Sequence, residues 1–398
     1  MAGEAAAGPA VAFVVPRYGS GIVGGAETLC RLMAEDLAAH GTPVEVFTTC
    51  AVDHFTWADH HPEGTTVEGG VPVHRFPVSP SRDADLFWRH HGAIATGERI
   101  GYAEQVEWMA NGAWSAGLQE ALGRRRGGWI VGVPYLFGTA FWAAAAHPTR
   151  TALIPCLHDE PHARLPIVRD ALTGVGGCMA NSEGERALIA ELAPDATSTV
   201  VGVGYAPEPP PTPRHVEEFC RSHGVAPGYL LYAGRREGGK GVPLLFGHYA
   251  RYRAARPEAP PLALMGSGDL PVPEEIAEHV VDLGFVPDED RGAAYAGASV
   301  LLHPSILESF GMVLLEAWIA GTPALVNGGS AVLVSHCRAS GGGLWFDSAT
   351  DFEAALDLLL ESAELRRGMA EAGSAYALGT FSWDEVRARF LGALEAWS

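Results

Sequence analysis

Short apolar runs alternate with helical segments along almost the whole chain. Runs of this length, each followed by a helix, are typical of parallel sheets that helices cover on both faces. Two sets of runs occur, so the sequence predicts an α/β protein with two Rossmann-like, doubly wound domains. The predicted strands are 11–15, 44–49, 71–76, 129–133, 152–157, 177–181 and 198–203 in the first set, and 229–234, 262–266, 280–284, 299–303, 323–327 and 343–346 in the second; the helices include 26–39, 183–192, 243–254 and 352–361.

A proline-rich stretch, APEPPPTPR at 206–214, separates the two sets and predicts an extended linker. The domains are predicted to span 1–205 and 215–380, with the ligand site in a cleft between two facing sheets. A last amphipathic helix, 381–398, is expected to cross back to the first domain. The segment 79–122 has helical spacing but no strand, which predicts an insertion in the first domain.

The 398-residue chain carries a formal charge of −20 at pH 7. So acidic a protein is not expected to bind nucleic acid or anionic membranes. No uncharged apolar stretch of about 18 residues occurs, so no membrane span is predicted. The six cysteines are scattered without a C-x-x-C pair, and the first residues lack the basic start of a signal peptide. Both features predict a cytoplasmic protein, and neither indicates its oligomeric state.

The stretch HPSILESFGMVLLEAWIAGTPALV, 303–326, predicts one short helix with a glutamate before it and another inside it. Apolar residues at three- and four-residue spacing indicate the helix, and Ser309 is its expected N-cap. The two carboxylates are those of Glu308 and Glu316. An isolated pair of this kind is most often a loop acid and a helix-face acid on the surface, so other segments must decide its meaning.

The start of this helix is an expected anion site, because the first N–H groups of a helix lack intrahelical partners. These groups belong to Phe310, Gly311 and Met312. Glu308 and Glu316 lie ~12 Å apart along the axis, on either side of them. Acid, anion site and acid in this order fit a molecule with hydroxyls at both ends and phosphate between them, as in a sugar nucleotide.

The segment YAGRREGGKGVPLL adds two cations, Arg235 at the end of a predicted strand and Lys240 before the next helix. Both are expected at the carboxyl edge of a parallel sheet, where ligands bind. Cations on such a loop suit a diphosphate, which an otherwise acidic protein must bind locally. The alternative is a pair of solvated loop charges.

The loop VVPRYGSGIVGGAE contains Gly19, Gly21 and Gly24 in the G-x-G-x-x-G spacing of dinucleotide-binding proteins. That motif requires its first glycine directly after the strand, yet three residues separate Gly19 from Val15. We therefore expect the loop to present the N–H groups of Gly24 and Gly25 as a second anion site.

Candidate metal ligands lack a recognised spacing. His158 follows the predicted strand 152–157 and lies in the segment HDEPH, and D-x-D occurs at 83–85 and 288–290. Such short matches arise by chance, loop histidines are usually solvated, and the second D-x-D reads as an acidic helix start. We predict no metal and no cofactor. Neither a nucleophile elbow nor a Walker A loop is present.

Together these segments resemble a known family, the retaining glycosyltransferases of GT-B fold that carry an E-x7-E signature. The stretch 303–326 is similar to that signature, GRREGGKG to the family's Arg and Lys loop, GGAE to its N-terminal glycine loop and FSWDEVRARF to its closing helix. The resemblance covers most of the chain and implies two facing Rossmann-like domains with the nucleotide-sugar donor held by the second.

The resemblance also implies residue roles. Glu308 would hold hydroxyls of the donor sugar and Glu316 those of the ribose, while Arg235 and Lys240 neutralise the departing diphosphate and His158 lies over the sugar. The family retains anomeric configuration, generally without a protein nucleophile, so positioning and charge stabilisation are the enzyme's contribution. Further donor contacts are implied for the backbone of Gly24, Gly25, Ser309, Phe310, Gly311 and Met312.

Two departures from the family pattern stand out. The turn after Pro323, NGGSAVLVSHC, lacks the acid usual there, so the role of this loop in donor binding is open. The insertion 79–122 is not a general family feature. Its aromatic residues are expected either to build an acceptor surface or to pack in the first domain's core. They are Phe87, Trp88, Tyr102, Trp108 and Trp114.

The sequence thus predicts a metal-independent retaining glycosyltransferase that uses a UDP-, GDP- or ADP-sugar and an unidentified acceptor hydroxyl. The first helix carries Glu27, Glu35 and Asp36 against one basic residue, Arg31, which favours a soluble small molecule or glycan over a lipid acceptor. Three alternatives stay open: a nucleotide-sugar epimerase or hydrolase, an NAD-dependent oxidoreductase, and a non-catalytic sugar-nucleotide-binding protein.

Overall fold

The chain divides into two compact units. The first contains the described residues up to Gly204 together with Trp383–Ser398, and the second the described residues of Tyr205–Ser382. The computed structural model describes residues 9–22, 24–206 and 210–398.

The first unit is built around one eight-stranded sheet. Its elements are β1 (Val11–Val14), α1 (Gly25–Ala39), β2 (Val44–Thr49), β3 (Gly64–Glu68), β4 (Val71–Phe76), α2 (Ala84–Ala95), α3 (Tyr102–Ala110), α4 (Ala116–Arg124), β5 (Trp129–Gly132), α5 (Gly138–Ala146), β6 (Thr151–Leu153), α6 (Pro166–Gly174), β7 (Gly177–Ala180), α7 (Glu183–Leu192) and β8 (Ser198–Val200). The strand order is β3-β4-β2-β1-β5-β6-β7-β8, and every pair except β3 with β4 is parallel. Strands β1, β5 and β7 are buried along their whole length, as expected of a sheet covered on both faces.

Sequence patterns missed one strand, β3. Its residues, GTTVE, are mostly exposed at the sheet edge, so no apolar run marks it. It joins β4 through Gly69 and Gly70, whose φ angles of 55° and 81° suit the tight turns of two-residue hairpins. The glycine pair and the β-branched Thr65, Thr66 and Val67 were the local signs of this strand.

Two predicted strands are shorter than expected. The run 152–157 forms a strand only as Thr151–Leu153, and 198–203 only as Ser198–Val200. In the first case Pro155 has no N–H to donate, and Cys156 adopts a positive φ of 51°, which turns the chain out of the sheet.

The second unit contains a six-stranded, fully parallel sheet. Its elements are α8 (Pro213–Ser222), β9 (Tyr229–Ala233), α9 (Val242–Ala255), β10 (Leu262–Met265), β11 (Val280–Gly284), α10 (Asp288–Ala296), β12 (Ala298–His303), α11 (Met312–Ile319), β13 (Ala324–Asn327), α12 (Ala331–Ser340), β14 (Gly343–Phe346), α13 (Ala349–Glu361) and α14 (Ala363–Phe381). The strand order is β11-β10-β9-β12-β13-β14. The predicted linker 206–214 lies partly outside the described residues, and α8 begins within it. Both units have the predicted α/β architecture with parallel sheets.

The last helix, α15, spans Trp383–Ala396 and packs within the first unit. It begins directly after Ser382, the cap that the sequence predicts for it, and α14 ends just before that residue, at Phe381. Phe390 stacks on Phe13 of β1 with ring centroids 5.9 Å apart, and Arg387 donates to Asp36 of α1 at 2.9 Å.

Helices α2, α3 and α4 form the segment between β4 and β5 where an insertion was expected. Phe87 and Trp108 are buried in the core of the first unit, whereas Trp88 and Tyr102 are 40% and 50% exposed. Most of this segment's aromatic area therefore serves helix packing. Within the described ranges, every helix is too short or too polar to span a bilayer.

Candidate active site

The strand order of the second unit reverses between β9 and β12. Open parallel sheets bind ligands outside the carboxyl ends of their strands at such a reversal. Since β9 ends at Ala233 and β12 at His303, the loops that follow them leave the sheet side by side. One carries Lys240 and the other Glu308, so the topology brings these distant residues together.

Glu308 is the centre of this site, with 13% of its side chain exposed. Its Oε1 accepts a hydrogen bond from Lys240 Nζ at 2.8 Å and lies 3.5 Å from His303 Nε2. Burial raises the pKa of the carboxyl, but the His303 ring, the Lys240 ammonium and a hydrogen bond from Ser305 outweigh it. The pKa of Glu308 therefore lies below its ordinary value, and the group is ionised at neutral pH.

Lys240 is the only lysine in the sequence. It ends a short 3-10 turn, and Gly241 follows with a φ of 72°. A Cβ at Gly241 would lie 2.5 Å from the carbonyl oxygen of Pro304, so only glycine lets the two loops approach this closely. The close approach places the ammonium of Lys240 on Glu308.

The two arginines of the same loop have carboxylate partners of their own. Arg235, predicted beside Lys240, is 59% exposed and its Nη2 lies 3.1 Å from Glu237 Oε1. Arg236, which sequence reasoning did not single out, donates to Asp282 at 2.6 Å. The loop thus holds three cations at the carboxyl edge of the sheet, each paired with an acid.

The helix predicted inside 303–326 is α11, but its N-cap is Gly311 and not Ser309. Gly311 has a φ of 86°, and a Cβ there would lie 2.6 Å from Leu333 Cδ2. The chain therefore enters the helix through a left-handed residue, a conformation that favours glycine over a serine cap. Met312 is the first helical residue, so Phe310 and Gly311 precede the helix, whereas a cap at Ser309 would have made them its first two residues.

Glu316 lies within α11 with 14% of its side chain exposed. Its Oε2 accepts a hydrogen bond from Tyr295 at 2.7 Å, and its Oε1 is 3.5 Å from Arg291 Nε. Burial raises the pKa of Glu316 above its ordinary value, against the effects of Arg291 and Tyr295. These two partners lie four residues apart on one face of α10, a spacing that could have pointed to them.

Helix α10 begins at Asp288, as the acidic helix start predicted.

Sequence reasoning also missed His303. It is 4% exposed at the end of β12, and burial lowers its pKa below the ordinary value despite the nearby Glu308. Among the described residues, neither ring nitrogen has a hydrogen-bond partner. Its position at the carboxyl end of a strand is the same signal that singled out His158.

In the first unit the strand order reverses between β1 and β5, and the loop after β1 carries Gly24 and Gly25. Gly25 begins α1, and a Cβ at Gly24 would lie 2.2 Å from Glu27 Oε2. Glu27 is buried and accepts a hydrogen bond from Arg17 Nε at 3.0 Å. A side chain at position 24 would therefore displace the Glu27 carboxylate, which takes part in a buried ion pair at the helix start.

His158 follows β6 in the same unit, with one third of its side chain exposed. Its Nδ1 lies 3.7 Å from Glu160 Oε1, and Glu160 in turn accepts a hydrogen bond from Tyr135 at 2.7 Å and lies 3.8 Å from His162. The structure thus places His158 in the first unit and the Lys240–Glu308 pair in the second. In the described part of the chain, no three His, Cys, Asp or Glu residues come together as metal ligands.

Residues 221–376 match the family model described as glycosyl transferases group 1. They form a group 1 glycosyltransferase domain. The matched range contains the site built from Arg235, Lys240, Glu308 and Glu316, and it confirms the family and enzyme class that the sequence resembles.

The chain also resembles curated proteins over nearly its whole length. A D-inositol 3-phosphate glycosyltransferase of Pseudarthrobacter chlorophenolicus is 27% identical over 409 aligned residues, which cover 95% of this chain and 91% of the relative. A protein of the same name from Jonesia denitrificans is 26% identical, with coverage of 95% and 92%.

Solved structures share the fold. Sucrose-phosphate synthase of Thermosynechococcus elongatus superposes with a TM-score of 0.72 at 17% identity, covering 98% of this chain and 100% of that one. HepE of Anabaena, solved in complex with UDP and glucose, gives 0.67 at 16% identity, covering 98% and 100%. At these identities the likeness concerns the fold alone, and it confirms the predicted GT-B class.

Proposed function

We propose that this protein is a retaining glycosyltransferase that moves a sugar from a nucleoside-diphosphate sugar to an acceptor hydroxyl. The observation that carries the proposal is that Glu308 and Glu316 lie on either side of the start of α11, at the strand reversal of the second unit. In addition, Lys240 Nζ donates a hydrogen bond to Glu308. Along the carboxyl edge of the sheet, a ligand would meet one carboxylate, then cations and helix N–H groups, and then a second carboxylate.

Each part suits one portion of the donor. Glu316 uses one lone pair of Oε2 for Tyr295 and keeps further acceptor sites for the two ribose hydroxyls. Lys240, Arg235 and the N–H groups at the start of α11 neutralise the diphosphate, with the backbone of Ser309, Phe310 and Met312 alongside. Glu308, ionised at neutral pH, accepts hydrogen bonds from hydroxyls of the transferred sugar.

In the proposed reaction the bond between the sugar's anomeric carbon and the leaving phosphate oxygen breaks. The acceptor oxygen bonds to that carbon from the same face, and its proton passes to a phosphate oxygen. Lys240 and Arg235 stabilise the charge that develops on the diphosphate. The family resemblance implies that His158, Gly24 and Gly25 also contact the donor, and the protein acts by positioning.

UDP is the first nucleotide to test, since HepE, a neighbour in fold, was solved with UDP and glucose. We would record thermal unfolding of the protein with UDP, GDP, ADP, dTDP and NAD at equal concentration. A nucleotide at 100 times its dissociation constant stabilises by ~2.7 kcal/mol. We expect one nucleoside diphosphate to raise the melting temperature of the wild type and of Glu289→Gln, an exposed control, but not of Glu316→Gln. A shift by NAD alone would favour the oxidoreductase alternative.

Turnover provides the second test. Glu308→Ala, Lys240→Ala and Glu316→Ala should each lower activity strongly, whereas full activity in all three would refute the site. The anomeric configuration of the product, read by NMR, decides between retention and inversion. Rapid donor conversion without an acceptor would instead favour the hydrolase or epimerase.

For the acceptor we propose a cavity of 580 Å³ in the first unit, a size typical of small-molecule sites. Its walls come from 94–105 of the insertion and from 159–166, and they include Ile100, Glu160 and Leu165. Glu160 lies 3.7 Å from His158, which links the cavity to the proposed donor contact. With polyols and monosaccharides as acceptor probes, Leu165→Trp should raise the acceptor KM without changing nucleotide affinity. Equal acceptor KM in Leu165→Trp and wild type would refute this.

The compartment is also a proposal. All six cysteines are free thiols, and five of them are buried. Thiols that stay reduced are typical of the cytoplasm, which supports a cytoplasmic reaction.

A further inference from the structure

Glu185, on the first turn of α7 in the first unit, is a fully buried carboxyl outside the site described above. Its own N–H donates to Ser182 Oγ, the N-cap of the helix, at 3.0 Å. A capping acid normally lies near solvent, whereas this side chain has 0% exposure. Burial raises its pKa to about 8, against hydrogen bonds from Asn181 and Leu157. Its burial is therefore costly, and local helix capping does not explain it.

Both oxygens of Glu185 are bound by backbone donors from different segments. Oε1 accepts from Leu157 N and Oε2 from Asn181 N, each at 2.6 Å. Leu157 lies in the loop after β6, and Asn181 directly follows β7, the neighbouring strand. One carboxyl group thus joins the carboxyl ends of two parallel strands.

The loop that Glu185 holds is a strained one. Cys156 has a φ of 51°, a left-handed conformation that is unfavourable for a residue with a Cβ. The turn at Cys156 directs the N–H of Leu157 at Glu185, and the Asn181 side-chain amide donates to Cys156 Sγ at 3.5 Å. The next residue after Leu157 is His158.

We propose that Glu185 is a positioning residue that fixes the 156–158 turn and thereby holds the His158 imidazole in the orientation that its proposed role requires. This inference rests on the role of His158 in the proposed function. The geometry suits a carboxyl group in either protonation state, because both partners are N–H donors and even the oxygen that carries a proton keeps a lone pair with which to accept. A glutamine would present its own NH₂ group to one of the two donors.

The test is a double-mutant cycle with Glu185→Gln and His158→Ala in the full chain. Glu185→Gln keeps the side-chain volume, so we expect it to lower kcat about 10- to 100-fold, as a small misplacement of a positioned group does. Donor KM and the melting-temperature shift with UDP should stay close to the wild-type values. In the His158→Ala background the same substitution should change kcat less than about 3-fold, because the group it positions is already absent.

Two controls keep the outcomes distinct. Glu183→Gln alters an exposed acid on the same helix and should leave kcat unchanged. Equal loss of kcat from Glu185→Gln with and without His158 would assign Glu185 a purely structural role and overturn the inference, as would full activity of Glu185→Gln. Full activity of His158→Ala would instead remove the proposed role of His158. If Glu185→Gln does not fold, the same double-mutant cycle is run with Glu185→Asp, whose shorter side chain keeps both acceptor oxygens.

Discussion

The ion pair between Lys240 and Glu308 allows a quantitative prediction. Lys240→Met removes the charge but keeps a long, flexible side chain at the same place. The Glu308 side chain, which is 13% exposed, then keeps the His303 ring as its nearby basic group. We expect both the free energy of unfolding and turnover to fall.

The magnitude follows from the distance and the burial. At 2.8 Å the attraction between unit charges is about 6 kcal/mol for an effective dielectric constant of about 20. Desolvation cancels part of it, and truncating one partner of a buried pair typically costs ~3–5 kcal/mol. Since Lys240 keeps 25% exposure, the low end of about 3 kcal/mol applies. In a unit of this size that lowers the melting temperature by roughly 6–12 °C.

The effect must depend on pH in one direction. The pKa of Glu308 is lower in the folded protein than its ordinary value of 4.5, so its contribution to stability is present above pH 4.5. It is lost as the pH falls through the folded pKa. The stability gap between wild type and Lys240→Met should therefore be widest near pH 7 and close as the pH falls below 4.5. The lowered pKa of His303 also disfavours the folded state in acid, but it does so in both proteins.

The assay is thermal unfolding of both proteins from about pH 3 to pH 8, a range that extends below the ordinary pKa of Glu308. Arg214→Met is the control, because Arg214 pairs with Glu218 at 2.8 Å in an exposed position of the same unit. An exposed pair contributes ~0–1 kcal/mol, so this variant should melt with the wild type. The reasoning is refuted if Lys240→Met lowers the melting temperature no more than Arg214→Met does. It is also refuted if the difference in melting temperature between Lys240→Met and the wild type grows as the pH falls.

Three further predictions concern the same unit. Gly311→Ala should lower stability and turnover together, because φ is 86° and the new Cβ would meet Leu333 at 2.6 Å; wild-type melting would contradict this. Tyr295→Phe removes a 2.7 Å hydrogen bond to Glu316 and should weaken nucleoside-diphosphate binding several-fold by calorimetry, unless Glu316 takes no part in binding. An amine-reactive reagent should label Lys240, the only lysine, and a bound nucleoside diphosphate should slow that labelling; an unchanged rate would place the phosphates elsewhere.

Much of the fold could be predicted from sequence because most strands are buried on both faces. Such strands read as continuous apolar runs, and the helices between them have their own periodicity. The edge strand β3 could not be found this way, since its exposed residues GTTVE carry no apolar pattern. Its local marks were three β-branched residues, 65–67, and the glycine pair at 69–70, and both features are also common in loops.

The parts of the site that lie within one segment could be predicted from the sequence, whereas contacts between distant segments could not. Glu308 and Glu316 lie on either side of one helix start, so their spacing could be worked out from the sequence. The meeting of Lys240 with Glu308 depends on β9 and β12 being neighbours, which local patterns do not encode. Glu185 escaped notice for a related reason, because a glutamate in a helix's first turn reads as a capping acid until its partners are known.

The three cations of the loop after β9 bear on how an acidic protein binds a diphosphate. Arg235, Arg236 and Lys240 are paired with Glu237, Asp282 and Glu308 respectively. In the proposed reaction, a donor phosphate that takes Lys240 from Glu308 frees the carboxylate to accept sugar hydroxyls. Phosphate binding and sugar binding are then coupled through one exchange of partners. The exchange needs both charges. It therefore predicts that Glu308→Gln lowers the affinity for the sugar nucleotide more than the affinity for the nucleoside diphosphate alone, so that the protein distinguishes the two ligands less well.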